Sequence, residues 1–110
     1  MSESDEQRAV IEYCDARNIP VFHIPNGGYR NKGEAARLKA QGVRPGVPDL
    51  CIPGARGGFH SLYIEMKARG GRTRKSQAEW LWRLRDEGMC AWVCVGAHDA
   101  IALIEKYMAM

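Results

Sequence analysis

Residues 42–52 of the chain read GVRPGVPDLCI, and residues 60–68 read HSLYIEMKA. Glycine and proline exclude regular structure from the first half of 42–52, whereas 49–52 and 60–68 have the β-branched and apolar content of strands. The intervening residues 53–58, PGARGG, are turn formers. We therefore predict two strands that pair as an antiparallel hairpin.

Three ionisable side chains converge if these strands pair. Side chains alternate along a strand, so Glu65 and Lys67 share one face, and Asp49 can stand beside Glu65. Such a group is costly unless something binds it. Asp49 and Glu65 offer hard oxygens to a divalent cation, with the backbone carbonyl of Met66 as a further ligand. Lys67 can then orient or deprotonate an attacking water and offset transition-state charge.

A second interpretation of the same residues is structural. The tripeptide Glu-x-Lys arises often by chance, because both residues are common. On that interpretation, Glu65 and Lys67 form an ion pair on a solvated strand. The metal hypothesis gains weight from what accompanies the tripeptide: Pro48-Asp49 opens the preceding strand, and Ser76-Gln77 opens the following helix.

Positive charge is concentrated in the middle of the chain. Residues 30–75 hold eleven Lys or Arg and three acids, although the whole chain has a net charge of only +3. A basic block of this kind fits a polyanion, most simply nucleic acid, and it equally fits a solvated face with no partner. Nine of these cations flank the candidate site in sequence and are predicted to contact phosphates: Arg30, Lys32, Arg37, Lys39, Arg44, Arg69, Arg72, Arg74 and Lys75.

The remaining elements complete one small mixed α/β domain over residues 1–110, in the order αβαββαβα. A 110-residue chain suits a single domain. Ser2 or Ser4 is expected to cap the first helix, and Ser76-Gln-Ala-Glu79 is expected to cap another. The nearly all-apolar run 90–95 predicts a strand at the centre of the sheet. The predicted elements are helix 2–17, strand 20–25, helix 33–41, strands 49–52 and 60–68, helix 76–87, strand 90–95 and a helix from 99.

Composition indicates a protein without a membrane span. Apolar residues make up 45% of the chain, but no uncharged stretch approaches the roughly 20 residues that a span needs. The acidic N-terminus differs from a signal peptide, so a cytoplasmic location is expected. The four cysteines lack zinc-site spacing and are predicted to be reduced and buried. The three tryptophans, Trp80, Trp82 and Trp92, are expected in the core, with Trp82 the one that falls off the apolar face of its helix.

Four segments, in order and spacing, resemble the virus-type replication-repair nuclease (VRR-NUC) family of the PD-(D/E)XK nucleases. They are residues 42–50 (GVRPGVPDL), 63–68 (YIEMKA), 73–80 (TRKSQAEW) and the glycine at 88 before an apolar strand. The resemblance implies a restriction-endonuclease-like fold. It also implies that Asp49 and Glu65 are metal ligands, that Lys67 is the catalytic lysine and that Gln77 is an accessory polar residue.

The resemblance further implies an activity and a partner. The chain is similar to stand-alone, phage-type members, which implies an Mg²⁺- or Mn²⁺-dependent endonuclease that cleaves branched, four-way junction-like DNA as a homodimer, without an organic cofactor. If the chain is phage-encoded, its compartment is the host cytoplasm. We expect selection by DNA shape and not by sequence, because phosphate contacts read no bases. The alternative is a non-catalytic nucleic-acid-binding module of the same fold.

The family also places a glutamate of the first helix near the metal. On a helical wheel, Glu3 lies in line with Gln7, whereas Glu12 points away from that face. Glu3 is therefore the first candidate and Glu6 the second.

Overall fold

This computed structural model describes residues 1–26 and 31–110. It confirms the predicted order of elements. The helices and strands are α1 (Glu3–Ala16), β1 (Phe22–His23), α2 (Lys32–Ala40), β2 (Leu50–Ile52), β3 (Leu62–Lys67), α3 (Lys75–Asp86), β4 (Cys90–Val95) and α4 (Gly96–Met108).

The four strands form one mixed sheet in the order β1-β2-β3-β4. The predicted hairpin is confirmed: β2 and β3 are antiparallel, with Leu50 opposite Ile64. Strand β1 is antiparallel to β2, whereas β4 is parallel to β3, to which it connects through α3. Pairing in the sheet therefore changes from antiparallel to parallel at β3, the strand that carries Glu65 and Lys67.

Alternation along β3 separates a core face from a functional face. Leu62, Ile64 and Met66 are fully buried in a cluster with residues of α1 and α4. Helices α1 and α4 also pack on each other, so they cover this face together. The intervening residues of β3 point to the opposite face. There Gln77 of α3 contacts both Glu65 and Lys67, which places the beginning of α3 over the functional face.

The prediction that β4 lies at the centre of the sheet is wrong. Strand β4 is an edge strand in the part of the chain that the structure describes, and Trp92 is 52% exposed there, so its predicted core position is wrong too. The apolar run indicates that the strand has buried residues, here Cys90, Ala91 and Cys94, but it does not indicate where the strand lies in the sheet. Side chains cover part of the free edge: Arg85 Nε donates to Ala91 O, and Val95 N donates to Asp99 Oδ2. Such cover discourages pairing with another strand.

One helix cap confirms its prediction and another differs from it. Ser2, not Ser4, caps α1, and it does so reciprocally with Asp5. Helix α3 begins one residue before Ser76, and the side chain of Gln77 accepts a hydrogen bond from Arg74 N at 2.8 Å. The expected Ser76–Glu79 box is therefore wrong, because Gln77 serves the beginning of the helix and the functional face at once.

The prediction for the cysteines is confirmed. All four cysteines are buried and free. Burial raises the pKa of the Cys94 thiol to about 12, so this thiol stays neutral near pH 7. Within the described ranges, no helix combines the length and the apolar character that a bilayer crossing requires.

Candidate active site

Three carboxylates from three separate parts of the chain meet at one end of the sheet. Oxygen atoms of Glu3, Asp49 and Glu65 all lie within 4.8 Å of one another. They line a cavity of about 560 Å³ that Lys67 and Arg74 line as well. The cavity therefore combines an acidic cluster with two cations.

Asp49 is held in place from two sides. Its Oδ2 accepts a 2.7 Å hydrogen bond from Met66 N, across the β2–β3 hairpin. Its carbonyl accepts from Ile24 N at 2.7 Å and from His23 Nδ1 at 2.8 Å. The N–H and C=O of one strand residue point to the same side, so the Met66 carbonyl is directed towards Asp49 as well.

A single amide connects the cationic and acidic groups of the functional face. Gln77 Oε1 accepts from Lys67 Nζ at 2.8 Å, while Gln77 Nε2 donates to Glu65 Oε2 at 3.2 Å. Lys67 Nζ also lies 3.6 Å from Glu65 Oε2. Both charged residues are buried, with Glu65 only 3% exposed. Their polar atoms are therefore paired inside the protein and not by bulk water.

The pKa of Glu65 is raised to about 8. Burial is the main cause, because it disfavours the charged form, and the neighbouring Asp49 adds charge repulsion and a hydrogen bond. Lys67 opposes the shift, and Glu3 adds to it weakly. Without a cation, Glu65 therefore carries a proton near neutral pH.

A close backbone approach joins the loop before Asp49 to the beginning of α3. Gly46 has φ +90°, and a Cβ there would lie 2.5 Å from the backbone oxygen of Ser76. Only glycine fits that contact, since real Cβ atoms do not come so close. Gly46, the second glycine of GVRPGVPD, thus allows Asp49 and Gln77 to reach the same cavity.

The donor set fits a hard divalent cation. Asp49 Oδ2 and Glu65 Oε2 are engaged by protein donors, which leaves the second oxygen of each carboxylate for a proton or a cation. Three carboxylates packed this closely repel one another unless positive charge lies between them. Carboxylate oxygens with a backbone carbonyl are the ligands that Mg²⁺ and Mn²⁺ prefer. Glu3, Asp49, Glu65 and the Met66 carbonyl are the groups that would hold such an ion.

Comparison with known proteins identifies the family. The model of the VRR-NUC domain matches residues 25–98. The chain belongs to the VRR-NUC family. A solved VRR-NUC domain protein is similar to it with a TM-score of 0.85 and 30% sequence identity, over 99% of this chain and 89% of that one. Among curated proteins, no match was found.

Membership of the VRR-NUC family gives the chain a nuclease-type fold that acts on DNA. Nucleases of this type typically use divalent metal ions, and the acidic cluster offers a place for one. The restriction-endonuclease-like αβαββαβα architecture that the resemblance implied is the one found.

The first helix contributes Glu3 to the cluster, not Glu6. The carboxylate of Glu6 instead accepts a hydrogen bond from Ala97 N, at the beginning of α4. That position suits an anion, because the first N–H groups of a helix have no intrahelical partner. Glu12 is exposed and points away, as the wheel predicted.

The predicted cations occupy different positions around this VRR-NUC cavity. Arg74 lines it, next to Gln77. The other described cations predicted to contact phosphates are all exposed, and Arg30 lies outside the described residues. The exposed group comprises Lys32, Arg37, Lys39, Arg44, Arg69, Arg72 and Lys75.

Sequence reasoning missed His23. Its ring lines the cavity, and the Gln7 amide lies 3.1 Å from Nδ1, the nitrogen that contacts the Asp49 carbonyl. The Asp49 carbonyl can only accept and the Gln7 amide nitrogen can only donate, so Nδ1 hydrogen-bonds to one or the other according to the tautomer of the ring. The available signal was its position in a short strand between two prolines, and pairing of that strand with β2 could not be foreseen.

Proposed function

We propose that this VRR-NUC protein, with residues 1–110 forming its single nuclease domain, is a divalent-metal-dependent endonuclease. Its substrate class is branched, four-way junction-like DNA, and the reaction is phosphodiester hydrolysis. The observation that carries the proposal is the cavity that Glu3, Asp49 and Glu65 line together with Lys67 and Arg74. Binding of a cation by the three carboxylates would leave Lys67 and Arg74 for a phosphate.

The acidic cluster would hold the metal. Asp49, Glu65, Glu3 and the Met66 carbonyl are the proposed ligands for Mg²⁺ or Mn²⁺. When bound, the ion supplies Lewis-acid stabilisation of the scissile phosphate and of the attacking oxygen. The Met66 N–H keeps Asp49 in its orientation, and the Gln77 amide does the same for Glu65.

Lys67 is the proposed catalytic lysine. The residue is only 7% exposed. Its ammonium orients the water that attacks phosphorus and offsets the negative charge that develops on the phosphate oxygens. Gln77 directs Lys67 by accepting one of its three N–H donors, which leaves two for water and phosphate. Hydrolysis needs only water as second substrate, so no organic cofactor is proposed.

Exposed cations before and after Asp49 in the sequence support binding of a DNA backbone. Lysine and arginine contacts to phosphates position a duplex but read no bases. One group of cations precedes Asp49 in the sequence and a second group follows it. If the two groups contact two differently oriented arms of a branched DNA at the same time, the protein selects its substrate by shape. The first group comprises Lys32, Arg37, Lys39 and Arg44, with Arg30 proposed alongside it, and the second comprises Arg69, Arg72, Arg74 and Lys75.

A second copy of the chain is the proposed protein partner. Trp82 of α3 and Trp92 of the edge strand β4 are 64% and 52% exposed, and the Arg85 guanidinium lies against both rings. Exposed tryptophans with an arginine are typical centres of protein interfaces. A symmetric dimer would bring two sites to two strands of one junction.

We propose the cytoplasm as the compartment of the protein. Its free cysteines agree with that reducing compartment.

The decisive experiment is cleavage of labelled four-way junction, flap, single-stranded and linear duplex DNA with Mg²⁺ or Mn²⁺. Wild type is compared with Lys67→Ala and Asp49→Asn, with Glu12→Gln as the control in an exposed acid outside the cavity. We expect cleavage of branched DNA that Lys67→Ala and Asp49→Asn abolish and Glu12→Gln retains. DNA binding without cleavage under either metal would favour the non-catalytic module. Equal cleavage of linear duplex would contradict selection by shape.

A further inference from the structure

Helix α2 (Lys32–Ala40) differs from the other helices in having no buried residue. Only Glu34 and Leu38 are half-buried, and α2 makes at most marginal contact with the other described helices and strands. A nine-residue helix is marginal in water on its own, since helices shorter than about 12–15 residues need packing to form. Packing against the described helices and strands therefore contributes little to the stability of α2.

Among the described residues, the hydrogen bonds at the ends of α2 are local. The Asn31 side chain accepts from Glu34 N at 2.8 Å as an N-cap. At the other end, Arg44 Nη1 donates to Lys39 O at 2.8 Å, and Val43 N donates to Leu38 O at 3.0 Å. A cap of this kind contributes about 1 kcal/mol, which does not replace a packed face.

The chain lines the cavity before α2, at Asn26, and again after it, at Asp49. Asn26 lines the cavity before the helix and donates from its side chain to the carbonyl of Val47. After the helix, the chain leads through Val47 and Pro48 to Asp49. The helix therefore lies in the sequence between two residues that line the cavity, and we expect DNA in the cavity to pass close to it.

The surface of α2 fits a polyanion. Its exposed charged side chains are Lys32, Arg37 and Lys39, and Arg44 follows directly. The exposed apolar residues are alanines, which cannot form the stripe that a protein groove or a lipid surface would bind. Charge complementarity therefore commits the partner to a nucleic-acid backbone.

We propose that α2 is a DNA-dependent clasp, a helix that becomes stably helical only when its basic side chains contact the phosphates of the bound DNA. This inference rests on the proposed function for the identity of the partner. It adds that folding of α2 is coupled to binding, so DNA affinity depends on the helix propensity of α2 as well as on its charge.

Two alanine-to-glycine substitutions separate propensity from charge. Ala35 and Ala36 are exposed in α2, and glycine there removes no cation and no packed side chain. Each substitution disfavours the helix by about 1 kcal/mol, which is roughly five-fold in an equilibrium constant. We expect Ala35→Gly with Ala36→Gly to weaken four-way junction binding in EDTA by about 25-fold, while the Tm of the free protein stays unchanged.

The matched control is Ala102→Gly, at an exposed position of the packed helix α4. It should lower Tm and leave DNA affinity unchanged. Hydrogen exchange gives the second readout: amides of residues 34–40 should exchange fast in the free chain and be protected when four-way junction DNA is added.

The outcomes separate the clasp from the proposed function. If wild type binds and cleaves junctions but the double glycine variant binds equally well, the clasp is wrong and the nuclease proposal stands. Protection of residues 34–40 without DNA, as strong as that of α1, would also overturn it. If wild type binds no DNA at all, the proposed function fails and the clasp fails with it.

Discussion

Lys67 and Gln77 form the hydrogen bond that organises the functional face. Lys67 Nζ donates to Gln77 Oε1 at 2.8 Å, and the same Oε1 accepts from Arg74 N at 2.8 Å. The residue that caps α3 therefore also directs the proposed catalytic lysine, so helix geometry and lysine orientation depend on one side chain.

Replacement of Gln77 should separate catalysis from DNA binding. Gln77→Ala should lower kcat for junction cleavage by about 10- to 100-fold with little change in KM, because Lys67 loses its orientation while the phosphate-binding cations remain. Loss of the cap should also cost about 1 kcal/mol of stability. Steady-state kinetics and thermal unfolding measure both, with the exposed Glu79→Ala as control. A change in KM alone would contradict the positioning role.

Metal binding should be visible as thermal stabilisation. Mn²⁺ at 100 times its Kd should raise the free energy of unfolding by about 2.7 kcal/mol, on the order of 10 °C in Tm for a domain of this size. Asp49→Asn should remove the shift, since it deletes a charged ligand and keeps an oxygen for Met66 N. Glu12→Gln should keep it. An equal shift in wild type and Asp49→Asn would place the metal elsewhere.

Stability without metal should fall as pH rises. The pKa of Glu65 in the folded chain is about 8, above its ordinary value of 4.5. The folded state therefore holds this proton more tightly than the unfolded state, so the contribution is full below pH 4.5 and is lost as pH rises towards 8. We expect Tm in EDTA to decrease from pH 5 to pH 8.

Glu65→Gln tests the origin of that pH dependence. The variant cannot ionise at this position, so its Tm should vary much less over the same range. The exposed Asp86→Asn should behave as wild type. A Glu65→Gln profile as steep as that of wild type would assign the effect to another group.

The approach of Gly46 to Ser76 should make residue 46 intolerant of a side chain. Gly46→Ala combines φ +90° with a Cβ 2.5 Å from the Ser76 oxygen, whereas Gly42→Ala has φ +102° and open space. Gly42→Ala should lower the free energy of unfolding by about 1–2 kcal/mol, because a side chain disfavours the left-handed backbone. Gly46→Ala should cost more and should reduce metal affinity as well, because Asp49 follows it closely. Equal Tm losses would exclude the steric contribution.

The β4 edge should carry the dimer. Light scattering coupled to size exclusion should show a dimer that Trp82→Ser with Trp92→Ser converts to monomer, because truncation of interface tryptophans removes large apolar contacts. Phe22 is 51% exposed on β1 at the opposite edge of the sheet, so Phe22→Ser is the matched control and should remain dimeric. A monomeric wild type would contradict the dimer, and dissociation by Phe22→Ser would move the interface.

Local sequence was informative wherever its signal depends on neighbours along the chain. The hairpin of β2 and β3 follows from turn formers between two strand-like runs, and the alternation of β3 follows from a period of two. Because Asp49, Glu65 and Lys67 lie on that hairpin, their proximity could be predicted from the sequence. Gln77 shares a helix face with the apolar residues Trp80, Leu81 and Leu84, so helical spacing directs it towards the sheet.

Other features depended on pairings between distant segments. Apolar content alone could not distinguish a central strand from the edge strand β4, because both have buried faces. His23 joins the cavity only since β1 pairs with β2, and Glu6 caps α4 only since α1 packs on it. No local pattern encodes these contacts.

The amino-acid sequence by itself determined the order of elements, the hairpin with its two carboxylates and lysine, and the basic middle of the chain, because turn propensity, strand alternation and charge are properties of short segments. Tertiary structure decided which first-helix acid joins the cluster, which strand lies at the edge and which helix is left without a packed face. Those outcomes depend on the relative placement of segments up to 91 residues apart, such as those of Glu6 and Ala97. The local sequence of one segment does not determine how it packs on a distant one.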